Sequence, residues 1–208
     1  MRIVFLLLCM CAGSVSMAQT SDFPDYRSKR DNYSKVTDPG IRNDLIYFTL
    51  AGLDQRVGRP MATSLPVTQS DGQSITFSGD QIQVRIKAGT FNQAKHKLGY
   101  IEKHLVRIDN KPYFGNYGDI PQRTIESVVL IEDKDTIAVP AIAFADLYEP
   151  LFMYADGGVS KTHDGVYESA DKHTVYIYML NKEGNNYYEV TWVIRDKKFL
   201  RRVVDAAI

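Results

Sequence analysis

Cysteine is the first thing this chain does without. Its only two, Cys9 and Cys11, lie inside an N-terminal apolar run, so nothing beyond residue 18 can form a disulfide or a thiolate metal site. A surplus of charge of either sign is also missing, since 25 basic residues stand against 25 acidic ones. Nucleic-acid binders gather a basic excess because Lys and Arg make the phosphate contacts, so this balance argues against DNA or RNA as a partner. No apolar run reaches the ~20 residues that a membrane-spanning helix needs. The sequence has no HExxH and no GxSxG. Nor does it hold two histidines at the two- or four-residue spacing that brings a pair of imidazoles to one metal. The residues announce an architecture but no chemistry.

What is present begins with an export signal. Arg2 gives a basic start, Ile3 to Ala12 is apolar, and Ser16-Met17-Ala18 sets small residues at −3 and −1 of a cleavage site before Gln19. This three-part pattern predicts a secretory signal peptide over residues 1–18 and a periplasmic or extracellular location. Leu8 and Met10, not small residues, precede the two cysteines, which argues against lipidation. Removing Arg2 with that segment leaves a net charge of −1. Residues 19–40 are polar, with Arg27, Lys29 and Arg30 interleaved with Asp25 and Asp31, and are expected to form a flexible leader. Residues 41–208 are then expected to fold as a single β-rich domain stabilised by its packed core.

Strand signals dominate that region. Asp44 to Gly52 is the first core-grade run, and its β-branched and aromatic content favours a buried strand. The stretch from there to Ser74, with Pro60, Pro66, Gly58 and Gly72, is expected to be a surface connection. In Gln81 to Ala88 every second residue is apolar, so Ile82, Val84, Ile86 and Ala88 share a buried face opposite Gln83, Arg85 and Lys87. A hairpin is expected over Tyr100–Phe114 with its turn near Asn110-Lys111, and a second over Thr124–Val139 turning at Glu132-Asp133-Lys134. Pro140 is well placed to open a short helix near 140–149, ended by Pro150. Asp156-Gly157-Gly158 and Asp164-Gly165 are tight-turn signals. His173 to Asp205 predicts a C-terminal three-stranded meander whose first strand is central and whose single tryptophan, Trp192, faces the core with Val190 and Ile194. The fold class is therefore mainly β, an antiparallel β-sandwich or partly closed barrel with that one helix.

Candidate chemistry is sparse. The histidines His96, His104, His163 and His173 stand apart from one another, and none of the carboxylates Asp109, Asp119, Glu126, Glu149, Asp156 and Glu189 is singled out as half of a glycosidase pair. Glu189, close to Trp192, is the most enzyme-like of these, but the expectation is an exposed strand carboxylate paired with a basic neighbour. Asp133-Lys134-Asp135 has only the start of a calcium-loop spacing, so no metal is expected, and no cofactor motif is present. One loop stands out, Lys111 to Asp119, with three aromatics in five residues among glycines. Tyr113, Phe114, Asn116, Tyr117 and Asp119 are the candidate binding residues, because rigid rings beside amide and carboxylate groups hold sugars or peptides at low entropic cost. The expectation is an exported noncatalytic β-domain binding an envelope protein or a glycan. A glycan hydrolase and a small-ligand carrier are the alternatives.

Overall fold

The computed structural model describes residues 37–40, 42, 62–183 and 186–207. The expected signal peptide, most of the polar leader and the apolar run at 44–52 lie outside these residues. In chain order the strands are β1 (Ala62–Leu65), β2 (Val67–Ser70), β3 (Ser74–Ser78), β4 (Ile82–Thr90), β5 (Leu98–Ile101), β6 (His104–Ile108) and β7 (Arg123–Glu132). They continue with β8 (Asp135–Ala138), β9 (Tyr154–Asp156), β10 (Val159–Lys161), β11 (Gly165–Ser169), β12 (Thr174–Glu183), β13 (Asn186–Arg195) and β14 (Lys198–Ala207). There are two five-stranded antiparallel sheets, β2-β3-β4-β7-β8 and β1-β11-β12-β13-β14, and two separate small hairpins, β5–β6 and β9–β10. Neither large sheet closes on itself, so the fold is a sandwich and not a barrel.

Alternation sets which face each strand buries. On β4, Ile82, Val84, Ile86 and Ala88 are buried while Gln83 and Arg85 are exposed, as period two requires. They meet Ile75 and Phe77 of β3 and Val128 and Leu130 of β7. The facing sheet contributes Val175, Ile177, Met179, Val190, Trp192 and Val204. Each large side chain taken out of water here contributes about 1.5–3 kcal/mol before entropy is subtracted. The meander forms as expected, with β12 flanked by β11 and β13, and Trp192 fully buried. Its β13–β14 turn places Asp196 and Lys197 at φ 49° and 60°, the left-handed pair of a type I′ hairpin.

Several expectations give way. No helix spans 140–149. Only Ala141–Ala143 makes one 3₁₀ turn, after an extended Pro140 with ψ 141°. The backbone groups a helix would use are taken by tertiary partners. The Ala143 carbonyl accepts from Trp192 Nε1 (2.9 Å), the Asp146 carbonyl accepts from Phe114 N (2.8 Å), and Tyr148 N donates to the Phe114 carbonyl (2.9 Å). Phe144 and Leu147 meanwhile turn into the core. The supposed connection before Ser74 contains β1 and β2, a single extended stretch that changes sheets at Pro66. Leu65 pairs with Val166 in one sheet and Val67 with Phe77 in the other. Pro is tolerated there because both strands are at sheet edges. The first hairpin turns at Glu102-Lys103, with Ile101 opposite His104. The expected turn near 110 is a second reversal, with Asp109 and Asn110 both at positive φ and Ile108 bridged to Lys111. Asp164-Gly165 is no turn either. Gly165 begins β11, and Asp164 is buried.

Candidate functional site

The site grows from a small core of its own. Phe91, Leu105, Ile108 and Tyr148 cluster away from the main core, with Leu98 and Tyr113 packed against them. Phe91 and Tyr113 both meet the Tyr148 ring edge-on, at 5.4 and 5.8 Å between centroids. Burial pushes the Tyr148 phenol up to about 12, so it stays neutral and acts as a wall. This cluster seats the β5–β6 hairpin beside the loop that follows Lys111, and a bridge from Leu105 to Gly118 fastens the two together.

Gly118 is at φ 92°, and a Cβ there would lie 2.9 Å from His104 Nδ1, so both conformation and space demand glycine. Tyr113 holds the loop from inside. Its hydroxyl lies 3.0 Å from the Asn116 carbonyl and 3.2 Å from that of Leu105, either of which accepts its single proton. Glu149, at φ 54°, closes the far side. Its Oε1 accepts the backbone N–H of Gln122 and, at 3.4 Å, that of Arg123.

Between these walls lies an open groove of about 640 Å³. Tyr100 and Lys103 of the hairpin form one side, and Asn116, Gly118, Asp119, Ile120 and Gln122 of the loop form the other, with Glu149 at its end. Tyr100 is 47% exposed and Ile120 41%, while Ile101 at the hairpin tip and Tyr117 on the loop each reach 65%. Among the described residues eight large apolar side chains are exposed, and four of them are these. Scattered exposed apolar residues are ordinary, but a cluster around a groove marks an interaction surface.

The five residues singled out from the sequence therefore divide. Asn116 and Asp119 line the groove, and Tyr117 stands exposed beside it with its ring over His104 at 6.2 Å. Tyr113 is half-buried and braces the loop, and Phe114 is buried in the main core against Tyr188. Tyr100, Lys103, Ile120 and Gln122 carry no site expectation from the sequence, and Glu149 stands there only among the unselected carboxylates. The signal for the first two was available in the apolar-then-charged tip Tyr100-Ile101-Glu102-Lys103, hidden by treating residues 100–109 as one strand.

The remaining candidates are dispersed. His96 Nδ1 pairs with Asp109 Oδ2 at 2.7 Å, and that hydrogen bond with the Lys97 N–H holds the Asp109 carboxyl below its usual range. His173 pairs with Asp196 at 2.8 Å, and His163 stacks on Tyr154. Glu189 is not the exposed carboxylate expected from its strand. It is buried and accepts a 2.6 Å hydrogen bond from the Tyr178 hydroxyl. Among the described residues no three His, Cys, Asp or Glu side chains gather as a metal site. Comparison with protein-family models, curated proteins and solved structures returns no match, so the groove is interpreted from its own geometry.

Proposed function

We propose that this protein is an exported, noncatalytic β-sandwich that binds a glycan or protein partner of the cell envelope or its surroundings in the groove between the β5–β6 hairpin and residues 116–122. The observation that carries the reading is a groove lined by exposed Tyr100 and Ile120 together with Asn116, Asp119, Gln122 and Lys103, with exposed Ile101 and Tyr117 on the same hairpin and loop. Aromatic faces supply contact area at low entropic cost, and the amide, carboxylate and ammonium groups supply directional recognition. The signal-like N-terminus supports the exported location, and charge neutrality argues against a nucleic-acid partner.

Glu149 and Asp119 share the groove, which is the one feature favouring a glycan hydrolase. Against it, Glu149 Oε1 is occupied by two backbone N–H donors, which makes that carboxylate a loop pin and not a free proton donor. The test is a glycan array together with a pulldown from envelope extract, using wild type, Tyr100→Ala and Tyr117→Ala. Each variant is expected to weaken capture roughly 5- to 100-fold, the effect of removing a central aromatic contact, with the unfolding midpoint unchanged. Capture indifferent to both substitutions would place the binding surface elsewhere. Turnover of a sugar substrate that vanishes in Asp119→Asn would convert the binder into a hydrolase.

A further inference from the structure

The groove between the β5–β6 hairpin and residues 116–122 is more polar inside than around it. Tyr100 and Ile120 bring apolar bulk to its lining, whereas Lys103, Asn116, Asp119, Gln122 and Glu149 bring polar groups. Exposed Ile101 and Tyr117 stand on the same hairpin and loop but do not line it. A protein partner anchors best in the opposite arrangement, an apolar socket depleted of Lys, Asp and Glu. Nor do the walls leave a strand edge open between them. β6 pairs with β5 on one side, and on the other the Leu105 N–H donates to the Gly118 carbonyl at 3.0 Å. An extended peptide therefore cannot add at Leu105 as a further strand and gain affinity through its main chain.

The polar groups suit hydroxyls instead. Lys103, Asp119 and Gln122 are exposed and Asn116 is half-buried, while the Tyr113 hydroxyl and Glu149 Oε1 are already spent on the backbone of the loop. Asn116 and Gln122 each carry amide donors and an acceptor, Asp119 accepts, and Lys103 donates. A sugar hydroxyl both donates and accepts, so several in a row match a mixed set of this kind. The Tyr100 ring offers a flat apolar face to the C–H side of a pyranose. Charge then selects among sugars. Two carboxylates, Asp119 and Glu149, against one ammonium, Lys103, leave the lining one negative charge in surplus, so a uronate or sulfated chain would meet like charge. The groove's volume of about 640 Å³ falls within the ~300–1,000 Å³ of small-ligand sites and holds a short oligosaccharide.

We propose, resting on the groove as the binding site described above, that its occupant is a neutral oligosaccharide. One pyranose ring stacks on Tyr100, and the hydroxyls are shared among Lys103, Asn116, Asp119 and Gln122.

The test is isothermal titration calorimetry of the full chain with neutral oligosaccharides of glucose, mannose, xylose and N-acetylglucosamine. Oligogalacturonate is the acidic arm and a pulldown from envelope extract the protein arm. Saturable binding of at least one neutral probe is expected, changing less than about twofold between low and high salt because no ion pair is made. It should stay within about threefold in Tyr100→Phe, which keeps the ring, and fall roughly tenfold in Tyr100→Ala and in Asn116→Ala. No heat with any neutral probe at millimolar concentration overturns the neutral sugar. If an acidic sugar or an envelope protein is then captured in a Tyr100-dependent way, the groove survives as the binding site, and if no capture depends on Tyr100, both readings fall. Neutral-sugar binding indifferent to Tyr100→Ala and Asn116→Ala also removes both.

Discussion

Asp164 offers the sharpest physical test of the fold. Its carboxyl is buried, Oδ1 accepts the Leu180 N–H at 3.1 Å, and Oδ2 has no partner. Burial without a counter-charge pushes its pKa well above the usual carboxylate range, with only the Leu180 hydrogen bond opposing. In the unfolded chain the group titrates near ~3.9. Below that value both states hold the proton, and Asp164 contributes no pH dependence. Above it the unfolded chain releases the proton while the folded one keeps it, so stability falls by about 1.4 kcal/mol per pH unit until the folded pKa is reached. Asp164→Asn removes the titration and keeps an oxygen for Leu180. Its amide replaces the unpartnered oxygen in a region where Asn181 Oδ1 also has no partner. Urea unfolding followed by fluorescence of the single, fully buried Trp192 measures both proteins from pH 3.5 to 8. Near pH 3.5 the variant is expected within about 1–2 kcal/mol of wild type. Going up from pH 4 it should gain on wild type along the predicted slope, then run parallel to it once the folded pKa is passed. Curves that stay parallel throughout would refute a buried, protonated Asp164.

Other expectations follow from single contacts. Arg202 is buried and grips Asp146 with two parallel hydrogen bonds of 2.5 and 2.9 Å, so Arg202→Ala, which leaves that carboxylate unpaired, should cost about 3–5 kcal/mol in chemical denaturation. Trp192→Phe removes the donor to the Ala143 carbonyl and should cost about 1–3 kcal/mol for the hydrogen bond alone, read by circular dichroism because the fluorophore is gone. Gly118→Ala must accept φ 92° and a contact with His104, which should cost about 1–3 kcal/mol and weaken partner capture, since the groove loop has to shift. Phe114→Ala, unlike Tyr117→Ala, should lose about 3–5 kcal/mol, separating the core aromatic from the exposed one in the same loop.

The parts of this fold that were legible are those where one physical effect decides. Period two on β4 and the turn residues of the meander translate directly into strands, and the company of Val190 and Ile194 placed Trp192 inward. The failures sit where tertiary contacts outvote local preference. Pro140 and the apolar residues after it suit a helix, yet Trp192 and Arg202 claim the Ala143 carbonyl and Phe114 claims that of Asp146. Pro66 looked like a loop residue because a strand that belongs to two sheets has no one-dimensional signature. Glu189 alternates like a solvated strand residue and Asp164-Gly165 reads as a turn, yet both carboxylates are buried, because burial of a carboxylate depends on what covers it. The groove was half visible. Aromatic density pointed to residues 113–119, but its other wall, the tip at Tyr100–Lys103, depends on where a hairpin turns.

Tyr148 connects these observations. Its ring supports the hairpin and Tyr113, while its carbonyl accepts from the Tyr188 hydroxyl at 2.8 Å and from Asn181 Nδ2 at 3.3 Å, both on the meander. Its N–H donates to Phe114, which is anchored in the main core. The groove is thus fixed to the sheets by hydrogen bonds and buried rings and does not ride on a free loop. A site held in this way has little conformational freedom left to lose on binding, so exposed Tyr100 and Tyr117 can direct their contact area to a partner instead of to ordering the loop that carries them.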